Sequence, residues 1–146
     1  MTDKAPHILI VDSPFHEAIN AELVKGCVAA LEAANVTYEK VSAPGALEIP
    51  LAATFGFETG RFDGVVVLGC VIRDGTSNYD IVVEQCAHGV AHLSLSEALP
   101  MGNAVLAVEN IEQAQKQADS QGLDKGGLAA KATLKMIELQ TYFEAQ

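Results

Sequence analysis

The spacing of apolar and polar positions changes repeatedly along this chain, and each change marks an element. Residues 7–11 (HILIV) form a short apolar β-branched run closed by Asp12, Ser13 and Pro14, which reads as a buried strand. Over residues 15–34, Ile19, Leu23, Val24, Cys27, Val28 and Leu31 recur at helical spacing and predict an amphipathic helix that ends near Asn35. Residues 36–43 (VTYEKVSA) alternate, as a half-buried or edge strand does. After the Pro44-Gly45 break, residues 46–59 look helical, with Pro50 tolerable only in the first turn. Residues 63–72 (DGVVVLGCVI) are almost continuously apolar, as a strand buried on both faces must be. A polar loop over 73–78 leads to a helix over 79–99, a strand over 103–110, a short helix over 111–122 and a last helix over 125–143 capped by Asp124.

Strands alternating with helices, each crossover being right-handed, specify a parallel sheet covered on both faces. The predicted fold is a flavodoxin-like α/β three-layer sandwich with strand order 2-1-3-4. In such sheets ligands bind outside the carboxyl ends of the strands. That directs attention to residues 12–16, 43–48, 70–78 and 108–111. The 146 residues suit a single domain, and no repeat, low-complexity segment or linker interrupts them.

Apolar residues at 49% and charged residues at 19% exclude a disordered chain. With 9 Lys and Arg against 19 Asp and Glu, the net charge of −10 disfavours nucleic acid and anionic membranes as partners. No segment approaches the ~20 apolar residues that span a bilayer, and the first residues are too weakly apolar for a signal peptide. Cys27, Cys70 and Cys86 are odd in number and form no C-x-x-C pair, which fits free buried thiols in a reducing cytoplasm.

Chemistry concentrates in residues 69–80 (GCVIRDGTSNYD). A glycine-containing loop that leaves a buried strand and opens a helix can bind a phosphate or carboxylate through its backbone N–H groups, with Arg73 adding a bidentate contact. It is equally read as an ordinary loop, Thr76 or Ser77 capping the helix and Arg73 sitting in a surface or interface pair. Glu48, at the start of a helix, would accept hydrogen bonds from a polyol or complement the helix dipole. Phe15 would stack on a planar ligand or staple helix to sheet. Glu84, His88 and His92 share one helix stripe but lack the companions of a metal site, so no metal is expected. There is no Walker loop, no G-x-G-x-x-G after the first strand and no G-x-S-x-G elbow. A receiver's aspartate is absent after the third strand, and the histidines show no cluster with a Ser or Cys nucleophile.

Four segments, PGALEIP (44–50), LGCVIRDGTSNYD (68–80), VENIEQA (108–114) and Lys125-Gly126, closely resemble in order and spacing the 6,7-dimethyl-8-ribityllumazine synthase family, over essentially the whole chain. The resemblance implies a transferase of riboflavin biosynthesis that needs no cofactor. Its small-molecule substrates would be 5-amino-6-(D-ribitylamino)uracil and 3,4-dihydroxy-2-butanone 4-phosphate. It also implies a homo-oligomer with active sites between neighbouring subunits. The turn over 118–126 departs from that of shell-forming members, so a pentamer or decamer is expected rather than a sixty-subunit shell, and the helix over 79–99 would line a five-fold channel.

Carried over residue by residue, Phe15 would stack on the pyrimidine, and Ala46, Leu47 and Glu48 would hold the ribityl chain. Cys70, Val71 and Ile72 would meet the pyrimidine edge through their backbone. Gly75 and Thr76 would cradle the phosphate, with Lys125 supplying charge. Three positions depart from the family pattern. Asn78 stands where the family carries a proton-shuttling histidine, Gln117 where it carries a phosphate-binding arginine, and Asn103 where a pocket phenylalanine is frequent. The expectation is a working, slow enzyme. The alternatives are a paralogue that binds lumazine or flavin as carrier or sensor, and an assembly protein whose oligomer matters more than any ligand.

Overall fold

A computed structural model describes residues 5–73, 75 and 78–146. These form a four-stranded, wholly parallel sheet in the order β2-β1-β3-β4, the predicted topology. The strands are β1 (His7–Asp12), β2 (Thr37–Ser42), β3 (Gly64–Ile72) and β4 (Met101–Val108). The helices are α1 (Glu17–Ala33), α2 (Ile49–Glu58), α3 (Asn78–Glu97), α4 (Ile111–Ala118) and α5 (Lys125–Glu144). A single 3-10 turn, Ala46–Glu48, precedes α2.

Side chains alternate across the sheet and divide the core in two. Ile8 and Ile10 of β1 with Val66, Leu68 and Cys70 of β3 meet the apolar stripes of α1, α4 and α5. Leu9 and Val11 with Val65 and Val67 meet Ile49 and Ala53 of α2 and Cys86, Val90 and Leu93 of α3. Strand β3 is therefore covered on both faces, which is why its sequence shows no alternation. Strand β2 lies at a sheet edge, as its alternation predicted.

Local chemistry fixes the helix ends. Pro50 falls in the first turn of α2, where the missing N–H costs no hydrogen bond. Asp124 accepts from the Gly127 N–H at 3.1 Å and caps α5. Asn110 accepts from the Gln113 N–H at 2.9 Å, while the Gln113 side chain accepts from the Glu109 N–H at 2.8 Å, a reciprocal cap on α4. That cap takes Glu109 and Asn110 out of the expected fourth strand. Pairing starts earlier instead: the Val65 N–H bonds the Pro100 carbonyl at 3.0 Å, and β4 opens at Met101. The first helix likewise starts two residues later than the hydrophobic pattern suggested, leaving Phe15 and His16 outside it. Helices α1 and α5 pack so closely that a Cβ on Gly126 would collide with the Leu23 carbonyl.

Candidate active site

The carboxyl ends of β1, β2 and β3 open into one cleft of about 500 Å³. Ser13, Phe15 and His16 enter it from the turn after β1. Gly45, Ala46, Leu47 and Glu48 enter from the break after β2, and Cys70, Val71 and Ile72 from the end of β3. Asn78, Tyr79 and Val82 of α3 form the remaining wall. The topology alone directed attention to this edge, and the first three segments it singled out meet there.

Phe15 is 77% exposed, with its ring edge-on to His16 at a centroid distance of 5.1 Å. An aromatic side chain this poorly covered does not staple the helix to the sheet, and its face is open to a planar ligand. Glu48 ends the 3-10 turn with its carboxylate exposed, its N–H bonded to the Gly45 carbonyl at 3.1 Å. Cys70 is buried at the cleft floor, and burial pushes its thiol up to about 11. It is a thiol at neutral pH, an apolar lining group and not a nucleophile.

One corner of this edge is held by a buried carboxylate. Asp12 is 1% exposed and accepts from Asn20 Nδ2 at 2.7 Å, from Ser42 Oγ at 2.5 Å and from Lys40 Nζ at 3.3 Å. The end of β1 is thereby tied to α1 and to the end of β2, immediately before Ser13. Asn20 Oδ1 is buried without a hydrogen-bond partner among the described residues.

Arg73 does not line the cleft itself but packs on Tyr79, which does. Its Nε contacts the Glu109 carboxylate at 3.1 Å, one terminal nitrogen lies 3.5 Å from Asp80, and its guanidinium sits 4.2 Å from the centroid of the Tyr79 ring. The Glu109 hydrogen bond raises its pKa further above an already basic value. Arg73 thus sits in a surface pair with Glu109 and Asp80. Gly75 adopts φ +72°, a backbone conformation glycine enters without strain. Thr76 and Ser77 lie outside the described residues.

The remaining sequence candidates do not line this cleft. Asn103 is exposed on the edge strand β4, its side chain accepting from the Val105 N–H at 2.8 Å. Gln117 is half-buried on α4, and Lys125 is the exposed first residue of α5. In the other direction, Ser13, His16, Tyr79 and Val82 line the cleft without having been assigned a role. His16 shares the cleft with a serine and a cysteine, a proximity the sequence did not reveal. Glu84, His88 and His92 are exposed along α3. Among the described residues no group of three His, Cys, Asp or Glu side chains is placed to hold a metal ion, and no helix is long and apolar enough to cross a membrane.

A sequence profile of the family described as 6,7-dimethyl-8-ribityllumazine synthase matches residues 5–141. The chain belongs to the lumazine synthase family. Curated relatives match over most of their lengths. The lumazine synthase of Bartonella tribocorum is 43% identical over 96% of this chain and 93% of its own. That of Sphingopyxis alaskensis is 44% identical over 94% of this chain and 96% of its own. The protein named 6,7-dimethyl-8-ribityllumazine synthase 1 of Rhizobium meliloti is 45% identical over 98% of this chain and 97% of its own. The lumazine synthase match therefore includes every segment that builds the cleft.

Proposed function

We propose that this protein is a lumazine synthase acting in riboflavin biosynthesis. It joins 5-amino-6-(D-ribitylamino)uracil to 3,4-dihydroxy-2-butanone 4-phosphate, releasing phosphate and water. The observation that carries the reading is the meeting of Phe15, Glu48 and Asn78 in one cleft of a chain that matches the family almost end to end. The 5-amino group attacks the ketone and loses water to give an imine, phosphate is eliminated, and the ribitylamino nitrogen closes the ring with loss of a second water. No step demands a strong nucleophile from the protein, and holding two reactants in register can by itself supply several kcal/mol.

In this reading Phe15 stacks on the pyrimidine, and Ala46, Leu47 and Glu48 hold the ribityl chain. The backbone at Cys70, Val71 and Ile72 meets the ring edge, and Gly75 with Thr76 receives the phosphate. Asn78 sits at the reacting end and supplies an amide that hydrogen-bonds without titrating. Asn103, Gln117 and Lys125, which stand apart from this cleft, complete the corresponding cleft of a neighbouring copy in a homopentamer or decamer. The protein works in the cytoplasm, a reading supported by three free, buried cysteines.

The test is the initial rate of lumazine appearance from both substrates, beside an Asn78→His variant and a protein-free control. The expected result is a rate above the control, raised further by the histidine. Rates equal to the control for both proteins overturn the proposal, and tight lumazine binding without turnover would then mark a carrier.

A further inference from the structure

His16 is the one imidazole that lines the cleft among the described residues. It occupies the N-cap position of α1, where Ser, Thr, Asp or Asn is usual because a side-chain oxygen accepts a free helix N–H. Its backbone, at φ −105° and ψ 89°, is non-helical as an N-cap's is, but its side chain accepts no helix N–H. Nor is it a core residue, for it is half-buried, and its ring stands perpendicular to that of Phe15. Neither helix capping nor packing accounts for an imidazole at this position.

The groups facing it come from several elements. Glu17 and Glu22 of α1 and Asp119 after α4 border the adjoining hollow, which His16 also lines. Across the cleft stand Ser13, Glu48, Cys70, Asn78 and Tyr79. The Ser13 hydroxyl and the Asn78 amide can each donate and accept hydrogen bonds but do not ionise near neutral pH. Cys70 keeps its proton there, as described above. Carboxylates and phenols ordinarily ionise far from neutrality, on opposite sides of it. An imidazole is the side chain whose ordinary range lies between pH 5 and 8 and which both takes and gives a proton.

We propose that His16 is a catalytic residue of this cleft, the proton carrier that touches the bound aminopyrimidine. The proposal rests on the condensation proposed above. Once the amine has added to the ketone carbon, the imidazole takes a proton from the nitrogen and delivers it to the departing hydroxyl. The C–O bond breaks, the C=N bond forms, one water leaves, and the imidazole returns to its starting state. Placement next to Phe15, which stacks on the same ring, puts this carrier beside the amine-bearing heterocycle.

The experiment compares the parent with His16→Asn and His16→Gln at saturating concentrations of both substrates from pH 5.5 to 8.5. The expected loss in kcat is about 10²-fold, the lower end of general acid–base contributions. KM for each substrate should stay within about threefold of the parent, and the acid limb of the kcat profile should flatten. Asparagine is a good N-cap, so His16→Asn should unfold at an equal or higher urea concentration, which separates proton transfer from loss of structure. In the parent, the His16 ring nitrogen NMR signals should move when 5-amino-6-(D-ribitylamino)uracil is added. An unchanged kcat profile, a change confined to KM, or unmoved ring signals overturns the role of His16 while leaving a catalytically active parent intact. A parent with no rate above the protein-free control overturns the condensation, and the role of His16 with it.

Discussion

Replacing Phe15 with alanine should cost binding at least as much as folding. A phenylalanine has about 150–250 Å² to bury. At 77% exposure roughly a quarter of that, about 40–60 Å², is already out of water. At ~25 cal/mol per Å² the stability at risk has a ceiling of about 1–1.5 kcal/mol. An aromatic ring stacked on a side chain contributes about 1–3 kcal/mol by alanine substitution, or roughly 5- to 150-fold in Kd. Calorimetric titration with 5-amino-6-(D-ribitylamino)uracil measures the binding loss, and urea denaturation measures the folding loss. A Kd within twofold of the parent, or a stability loss beyond about 2.5 kcal/mol, would refute the assignment and return Phe15 to an ordinary packing role.

Asp12→Ala should lower stability by about 1–3 kcal/mol, since it leaves the Asn20 amide buried and unpaired while water replaces the carboxylate for Lys40 and Ser42. A urea midpoint close to the parent's would show that the carboxylate corner is dispensable. The three cysteines predict a pH effect. Burial raises Cys70 and Cys86 from the ordinary 9.0 to about 11, and burial together with Asp124 raises Cys27 to about 12. Above pH 9 the unfolded chain releases thiol protons that the folded chain still holds. Stability from this source is therefore complete below pH 9 and declines as pH rises toward 11, by at most about 1.4 kcal/mol per unit for each thiol. Urea midpoints at pH 8, 9 and 10 should fall more steeply for the parent than for a Cys27→Ala, Cys70→Ala, Cys86→Ala variant. Parallel slopes would refute it.

Most of the fold was legible because its signals are local and mutually consistent. The unbroken apolar run of β3 marks a central strand, Pro50 marks a first turn, and Asp124 marks a cap. The errors occur where a long-range or capping contact outbids the pattern. Strand β4 shifts by two residues because the Pro100 carbonyl starts the ladder and Asn110 is needed as a cap. For the cleft, the carboxyl-edge rule found the segments carrying Phe15, Glu48 and Cys70, since topology alone dictates where strand ends converge. It assigned no role to His16, because a hydrophobic period started at residue 15 absorbs it into a helix. Only the folded cleft, which places it beside Phe15, sets it apart. Nothing in linear spacing indicates that Asn103, Gln117 and Lys125 stand outside the same chain's cleft.

The Asp12 corner has a consequence for how this sequence can change. One carboxylate gathers its donors from α1 through Asn20 and from β2 through Lys40 and Ser42, so four positions share a single electrostatic bargain. Loss of any one donor alters the worth of the other two, and effects at these sites will not add. Loss of the carboxylate first leaves the buried Asn20 amide unpaired, so its replacement becomes favourable only afterwards. Substitution here is order-dependent. A drifting lineage should hold all four residues together or exchange them in concert, while exposed positions such as Glu84 and His88 vary one at a time.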